Sequence, residues 1–138
     1  MAVVSLAGPV FNFLLAALVA LLTRAAKVEL TLSLGPVLDY PFSPLAWVAV
    51  LGGFTVFYNL LLGVFNLVPL APLDGSKVAI GLAPRALVWR LSRVETYGPV
   101  VLVLVIAADF VFRLHILSSL LIPPVAWLSR VLTGVPLV

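Results

Sequence analysis

An all-α integral membrane protein is predicted by three observations. Of 138 residues, 64% are hydrophobic and only 9% charged, with mean hydropathy +1.29. A soluble domain of this length has too little interior to hide so much apolar surface. Charge is absent from Met1 to Thr23 and again from Tyr40 to Leu73, and each run exceeds the roughly 20 apolar residues that a bilayer-crossing helix needs. Finally, the polar residues inside these runs recur at helical spacing, as buried faces of packed spans do.

The first helix is expected over about 3–23. Ser5, Gly8 and Asn12 share one of its faces, and Arg24 and Lys27 mark its exit into the interface. Small and polar residues on one face favour close helix approach, so this face should look at protein rather than lipid. Residues 25–44 break the pattern with short alternation, Gly35-Pro36 and Pro41, which reads as an interfacial loop.

A second helix is expected over about 45–65. Its stripe is Gly52, Thr55, Asn59 and Asn66 with Gly63 beside it, and asparagines in hydrocarbon require hydrogen-bond partners. Pro69 and Pro72 then forbid regular helix, so the chain is broken at Asn66-Leu67-Val68-Pro69-Leu70-Ala71-Pro72-Leu73-Asp74-Gly75. Irregular backbone at membrane depth is tolerated only where it is buried in protein or lines a cavity.

The stretch holding Lys77, Arg85, Arg90 and Arg93 is expected to lie along the membrane surface. Its excess of cations over the loop holding Arg24 and Lys27 puts residues 74–97 on the cytoplasmic side. Gly98-Pro99 is expected to open a third helix over about 98–113. A last apolar stretch, about 115–133 and bent at Pro123-Pro124, either spans or re-enters, giving three to four transmembrane helices in a single membrane domain over 1–138.

Composition and motif together exclude several functions. Eight basic residues against five acidic ones are scattered around the apolar blocks with few interleaved aromatics, so no nucleic-acid surface is indicated. Zero cysteines removes disulfides, thiolate metal sites and cysteine nucleophiles. With one histidine and no Gly-x-Ser-x-Gly, serine catalysis has no support, and no Gly-Lys-Ser/Thr loop is present for phosphate.

Asp74 carries the chemistry that remains, because a carboxylate directly after a long uncharged run is expensive in the membrane and is a functional candidate by default. Asp109 is expected to pair with Arg113 four residues on. His115 has neither an adjacent Glu nor a second His at i+4, and reads as interfacial.

Asn66, Pro69, Pro72, Leu73, Asp74 and Gly75 resemble the NxxPxxxLDG signature of the site-2 protease family of intramembrane zinc metalloproteases. Ser5-Leu6-Ala7-Gly8-Pro9 with Asn12 is similar to that family's AGPxxN segment, and Arg93–Gly98 to the connector before the next span in small bacterial members. The resemblance implies that Asp74 is a zinc ligand and that Asn66 holds the substrate backbone or a developing oxyanion. It gives Asn12, Gly8, Pro69, Pro72 and Gly75 supporting or packing roles. The other two ligands and the catalytic glutamate would come from an HExxH helix.

No HExxH occurs here, the only glutamates being Glu29 and Glu95, so the chain alone is expected to be inactive. It reads as the C-terminal portion of a protease that cleaves peptide bonds in or near transmembrane segments. Its single methionine, Met1, then stands for an internal one taken as a start. The alternative is a non-catalytic membrane protein of the same fold that binds transmembrane segments or a partner subunit. Expected partners are membrane lipid, a transmembrane substrate and the HExxH segment; compact build and a preference for arginine over lysine suggest a bacterial inner membrane.

Overall fold

Helices follow one another without a strand among the described residues, in the order α1 (Ala2–Ala25), α2 (Gly35–Asp39), α3 (Pro44–Leu67), α4 (Asp74–Leu82), α5 (Arg85–Phe112) and α6 (Ile116–Thr133). The computed structural model describes residues 2–138, and the side chains of all of them except Ala2, Val3, Arg85, Arg90 and Val94. Four helices contain stretches long and apolar enough to cross a membrane: Val4–Ala25, Pro44–Leu67, Glu95–Phe112 and Ile116–Thr133. The protein is an all-helical membrane protein.

Two compact units divide the chain, Met1–Phe11 with Gly63–Leu121, and Asn12–Leu62 with Ile122–Val138. In the second, α1 buries Ala16, Ala20 and Thr23, while Leu14, Leu18 and Leu21 stay exposed. That division fits a helix with one face on protein and the other in hydrocarbon, where packing of small residues drives association because lipid is as apolar as leucine. The buried face of α3 is Ala46, Ala49, Val50, Gly52, Gly53, Val56 and Leu60, and Gly52 meets α1, where an added methyl would sit 3.6 Å from Thr23 and 3.8 Å from Val19. Of the expected stripe Gly52 and Gly63 are buried, while Thr55 and Asn59 lie at the edge, half-buried. Thr55 Oγ1 donates to Leu51 O at 2.7 Å and Asn59 Nδ2 to Thr55 O at 2.8 Å, so these polar groups are satisfied along their own helix rather than across to another.

The loop after α1 is more ordered than its alternation suggests. Leu30 is buried, and Thr31 N donates to Ala49 O at 3.2 Å. That approach depends on Gly53, one turn along α3 from Ala49, because a Cβ there would collide with the Thr31 backbone. Within α6, Val125 and Ser129 are fully buried. Ser129 Oγ accepts a hydrogen bond from Leu137 N at 3.3 Å, which folds the C-terminal residues back.

In the first unit, Ser5 and Pro9 are the buried residues of α1. Here two expectations are corrected. No helix opens at Gly98-Pro99: α5 is continuous from Arg85, with Pro99 inside it. Gly98 is buried against Ala71, whose Cα, Cβ and carbonyl a side chain at 98 would strike, so this Gly-Pro pair serves a close contact rather than a helix start. Nor does Asp109 pair with Arg113, since the one ion pair among the described residues is Lys77–Asp74. Asp109 Oδ1 instead accepts from Ile116 N at 2.6 Å, satisfying an N–H that the first turn of α6 leaves open. Arg113 ends α5 with φ 51, in the left-handed region, which turns the chain between the two groups. Pro123 and Pro124 both lie inside α6.

Candidate functional site

Asp74 is the first residue of α4, and the sequence forces it there. Proline nitrogens at 69 and 72 cannot donate, so α3 stops at Leu67 and the chain makes short turns, Leu70 N to Val68 O at 2.8 Å and Leu73 N to Leu70 O at 2.9 Å. The Ala71–Pro72 peptide is cis. Leu73 is extended (φ −70, ψ 152) and caps α4 without a side-chain bond, while Ser76 Oγ donates to Leu73 O at 2.8 Å and closes the first turn.

Gly75 explains how the broken segment folds onto itself. A Cβ at this position would collide with the carbonyl oxygens of Leu67 and Val68. Only glycine lets the start of α4 rest on the end of α3, which brings Asp74 back beside the helix from which it departed. Asn66 stands in the last turn of α3, half-buried, and its amide makes no hydrogen bond among the described residues. Pro69 and Pro72 are exposed.

From α1, Gly8 faces the carboxylate: a methyl added there would sit 3.4 Å from Asp74 Oδ2. Two sequence segments more than sixty positions apart thus meet at one carboxylate, the neighbouring Pro9 being fully buried. On its other oxygen Asp74 carries Lys77, with Nζ 3.5 Å from Oδ1. Both side chains are partly exposed, 33% for Asp74 and 48% for Lys77, so the pair contributes under about 1 kcal/mol and is readily exchanged for another cation. Sequence reasoning treated Lys77 as a surface charge; its place one turn after Asp74 was the available signal. Asn12 is half-buried and belongs to the other unit.

A catalytic zinc takes three protein ligands and a water. Among the described residues, no three His, Cys, Asp or Glu side chains gather to hold a metal. His115 is exposed and follows α5. The described residues by themselves therefore do not compose a zinc site, and Asp74 stands there as a single carboxylate.

The site is a carboxylate at a proline-broken helix start in a helical membrane protein, and comparison with known proteins gives that class a direction. The chain is 35% identical over 101 residues to the protein named "Putative zinc metalloprotease YwhC" of Bacillus subtilis (strain 168). This similarity covers 71% of the chain and 42% of that relative, so the chain spans less than half of its length. No protein-family model matches the chain. No solved structure matches it significantly. The likeness relates the chain to a protein whose name describes a putative zinc metalloprotease.

Proposed function

We propose that this chain is the Asp74-bearing C-terminal portion of a membrane-embedded zinc metalloprotease of site-2 type, which cleaves peptide bonds in or near transmembrane segments. The reading is carried by the meeting of Gly8 with the Asp74 carboxylate. It brings together the two motif segments that carry the resemblance, and YwhC is named as a putative zinc metalloprotease. In this reading Asp74 supplies one metal ligand and Asn66, in the last turn of α3, offers an amide to the substrate backbone. The remaining ligands and the general base belong to an HExxH helix outside these residues. Lys77, paired with Asp74, would have to yield the carboxylate to a metal held there.

The test uses two purified proteins, this chain and the chain extended upstream in its own coding sequence, each also as Asp74→Ala. About one zinc bound and cleavage of a membrane-embedded peptide by the extended form alone, both lost in Asp74→Ala, supports the assignment. An extended form without an HExxH segment, or one that binds zinc equally well as Asp74→Ala, overturns it. The Lys77–Asp74 pair favours one other reading, a non-catalytic protein of the same fold that binds transmembrane segments, because the lysine satisfies the carboxylate without a metal. In that case the extended form binds no zinc, and Lys77→Ala lowers stability by no more than about 1 kcal/mol, with no recovery on adding metal.

A further inference from the structure

The C-terminal ends of α1 and α6 adjoin a cavity of about 320 Å³ whose walls carry Arg24, Lys27, Glu29 and the threonines Thr23 and Thr133. Beside it runs a groove of about 410 Å³ formed by Ala17, Leu21, Val131, Leu132 and, again, Arg24. Ala17, Leu21 and Arg24 follow at i, i+4 and i+7, so the groove extends about two turns down one face of α1. A charged chamber and an apolar channel therefore share one residue, which stands between them.

That residue is held in place. Arg24 Nη1 donates to Leu132 O at 3.3 Å, tying the guanidinium to the last turn of α6 and leaving its other N–H groups for a ligand. Lys27 is brought to the same chamber by the way α1 ends. Val28 N donates to Thr23 O at 2.9 Å and Lys27 N to Arg24 O at 3.0 Å, a Schellman closure. It puts Lys27 at φ 56, a position that glycine usually takes.

The chamber is not uniformly positive. Two cations face one carboxylate, and the carbonyl ends of α1 and α6 add partial negative charge. Such a site suits a group with both signs, a phosphodiester beside Arg24 and Lys27 and an ammonium beside Glu29. The groove suits a hydrocarbon chain. Exposed Trp127, one turn before Arg130, adds the amphipathic aromatic found where helices leave the bilayer.

The geometry points to a binding site for one glycerophospholipid with a primary-ammonium headgroup, of the phosphatidylethanolamine kind, with its phosphate at Arg24 and Lys27 and one acyl chain between α1 and α6. A primary ammonium can donate hydrogen bonds to Glu29 and the helix-end carbonyls; the quaternary ammonium of a choline lipid cannot. A glycerol headgroup offers Glu29 no charge. The site is independent of any proteolytic role.

The experiment is native mass spectrometry of the full chain in non-ionic detergent, titrated in turn with ethanolamine, choline and glycerol phospholipids of identical acyl chains, and with water-soluble glycerophosphoethanolamine. The ethanolamine lipid should bind about tenfold more tightly than the other two, the size of one charge-assisted hydrogen bond. Arg24→Gln/Lys27→Gln should lower that affinity about tenfold or more, and Glu29→Gln should remove the preference for ethanolamine over glycerol. Arg113→Gln, a cation elsewhere, should change nothing. Equal occupancy by the three lipids, or an ethanolamine preference that survives Arg24→Gln/Lys27→Gln, overturns the proposal. So does a soluble headgroup that binds as well as the lipid, which would mark a site for free phosphate esters. Should the double variant lose its helical signal, Ala17→Phe decides, since it fills the groove and leaves the charges; undiminished lipid binding would then overturn the assignment.

Discussion

Gly75 shows how a single missing side chain positions the candidate site. Its Cβ would enter the space of two backbone carbonyls, Leu67 O and Val68 O, which unlike a flexible side chain cannot step aside. Gly75→Ala is therefore expected to destabilise the chain by about 1–3 kcal/mol, the usual range for overpacking, and to displace Asp74; thermal unfolding in detergent reads the loss. Gly8→Ala makes a useful contrast. Its methyl meets Asp74 Oδ2 at ordinary contact distance, 3.4 Å, and its unfolding midpoint should stay close to that of the unsubstituted chain. Asp109 gives a second test at this scale. Because its carboxylate accepts from Ile116 N, Asp109→Ala should cost about 0.5–2 kcal/mol, as loss of a helix cap does. Arg113→Ala should cost far less, and the double variant should show no coupling beyond about 0.5 kcal/mol. A large coupling would restore the ion pair that the i, i+4 spacing suggested. Asp74 itself was legible because a charge ending a long uncharged run stands out against the bilayer. The partners of Asp74 were less so: Lys77 follows it by one turn, a spacing equally common among surface charges, and nothing local in the sequence announces that Gly8 comes back to it.

Among the helices, α1 and α3 were legible within a few residues, since runs of apolar residues broken by Arg24 and by Pro69 carry their own punctuation. Gly98-Pro99 misled for a physical reason. The pair is a good helix-start signal where the preceding backbone is free, yet here glycine is required by the close approach of Ala71 and proline is accommodated within the helix. The two accounts predict opposite outcomes. Inside a helix, Pro99 removes one i→i−4 hydrogen bond, so Pro99→Ala should add up to about 3 kcal/mol of stability and raise the unfolding midpoint. At a helix start the same change would lower it. The partial shift of the buried stripe on α3 has a similar origin. Polar residues were expected to seek another helix, but Thr55 and Asn59 bond back to carbonyls of their own helix, and of the expected stripe it is the small Gly52 that lies against α1.

For the molecule as a whole, hydropathy identifies four helices able to cross a membrane, but an observed contact limits how many do so in alternation. Arg24, at the end of α1, bonds Leu132 at the end of α6, so both helix ends emerge on one side of the bilayer. The chain must then cross an even number of times between them, and of α3, α5 and α6 only two can make full crossings. α6 buries Leu121, Val125 and Ser129 along one face through its length, whereas only 6% of the Glu95–Phe112 stretch of α5 is buried. The helices that cross are expected to be α1, α3 and α6, with α5, a continuous helix, lying along the membrane on the side of the Asp74 segment. The absence of cysteine makes the test clean. Single variants Ala26→Cys, Leu114→Cys and Val138→Cys, in sealed vesicles, should react with a membrane-impermeant maleimide so that 26 and 138 label from one side and 114 from the other. Labelling of 114 from the same side as 26 and 138 would transfer the crossing from α6 to α5. Labelling of 26 and 138 from opposite sides would mean four alternating spans, and with them the loss of the Arg24–Leu132 contact on which the lipid chamber depends.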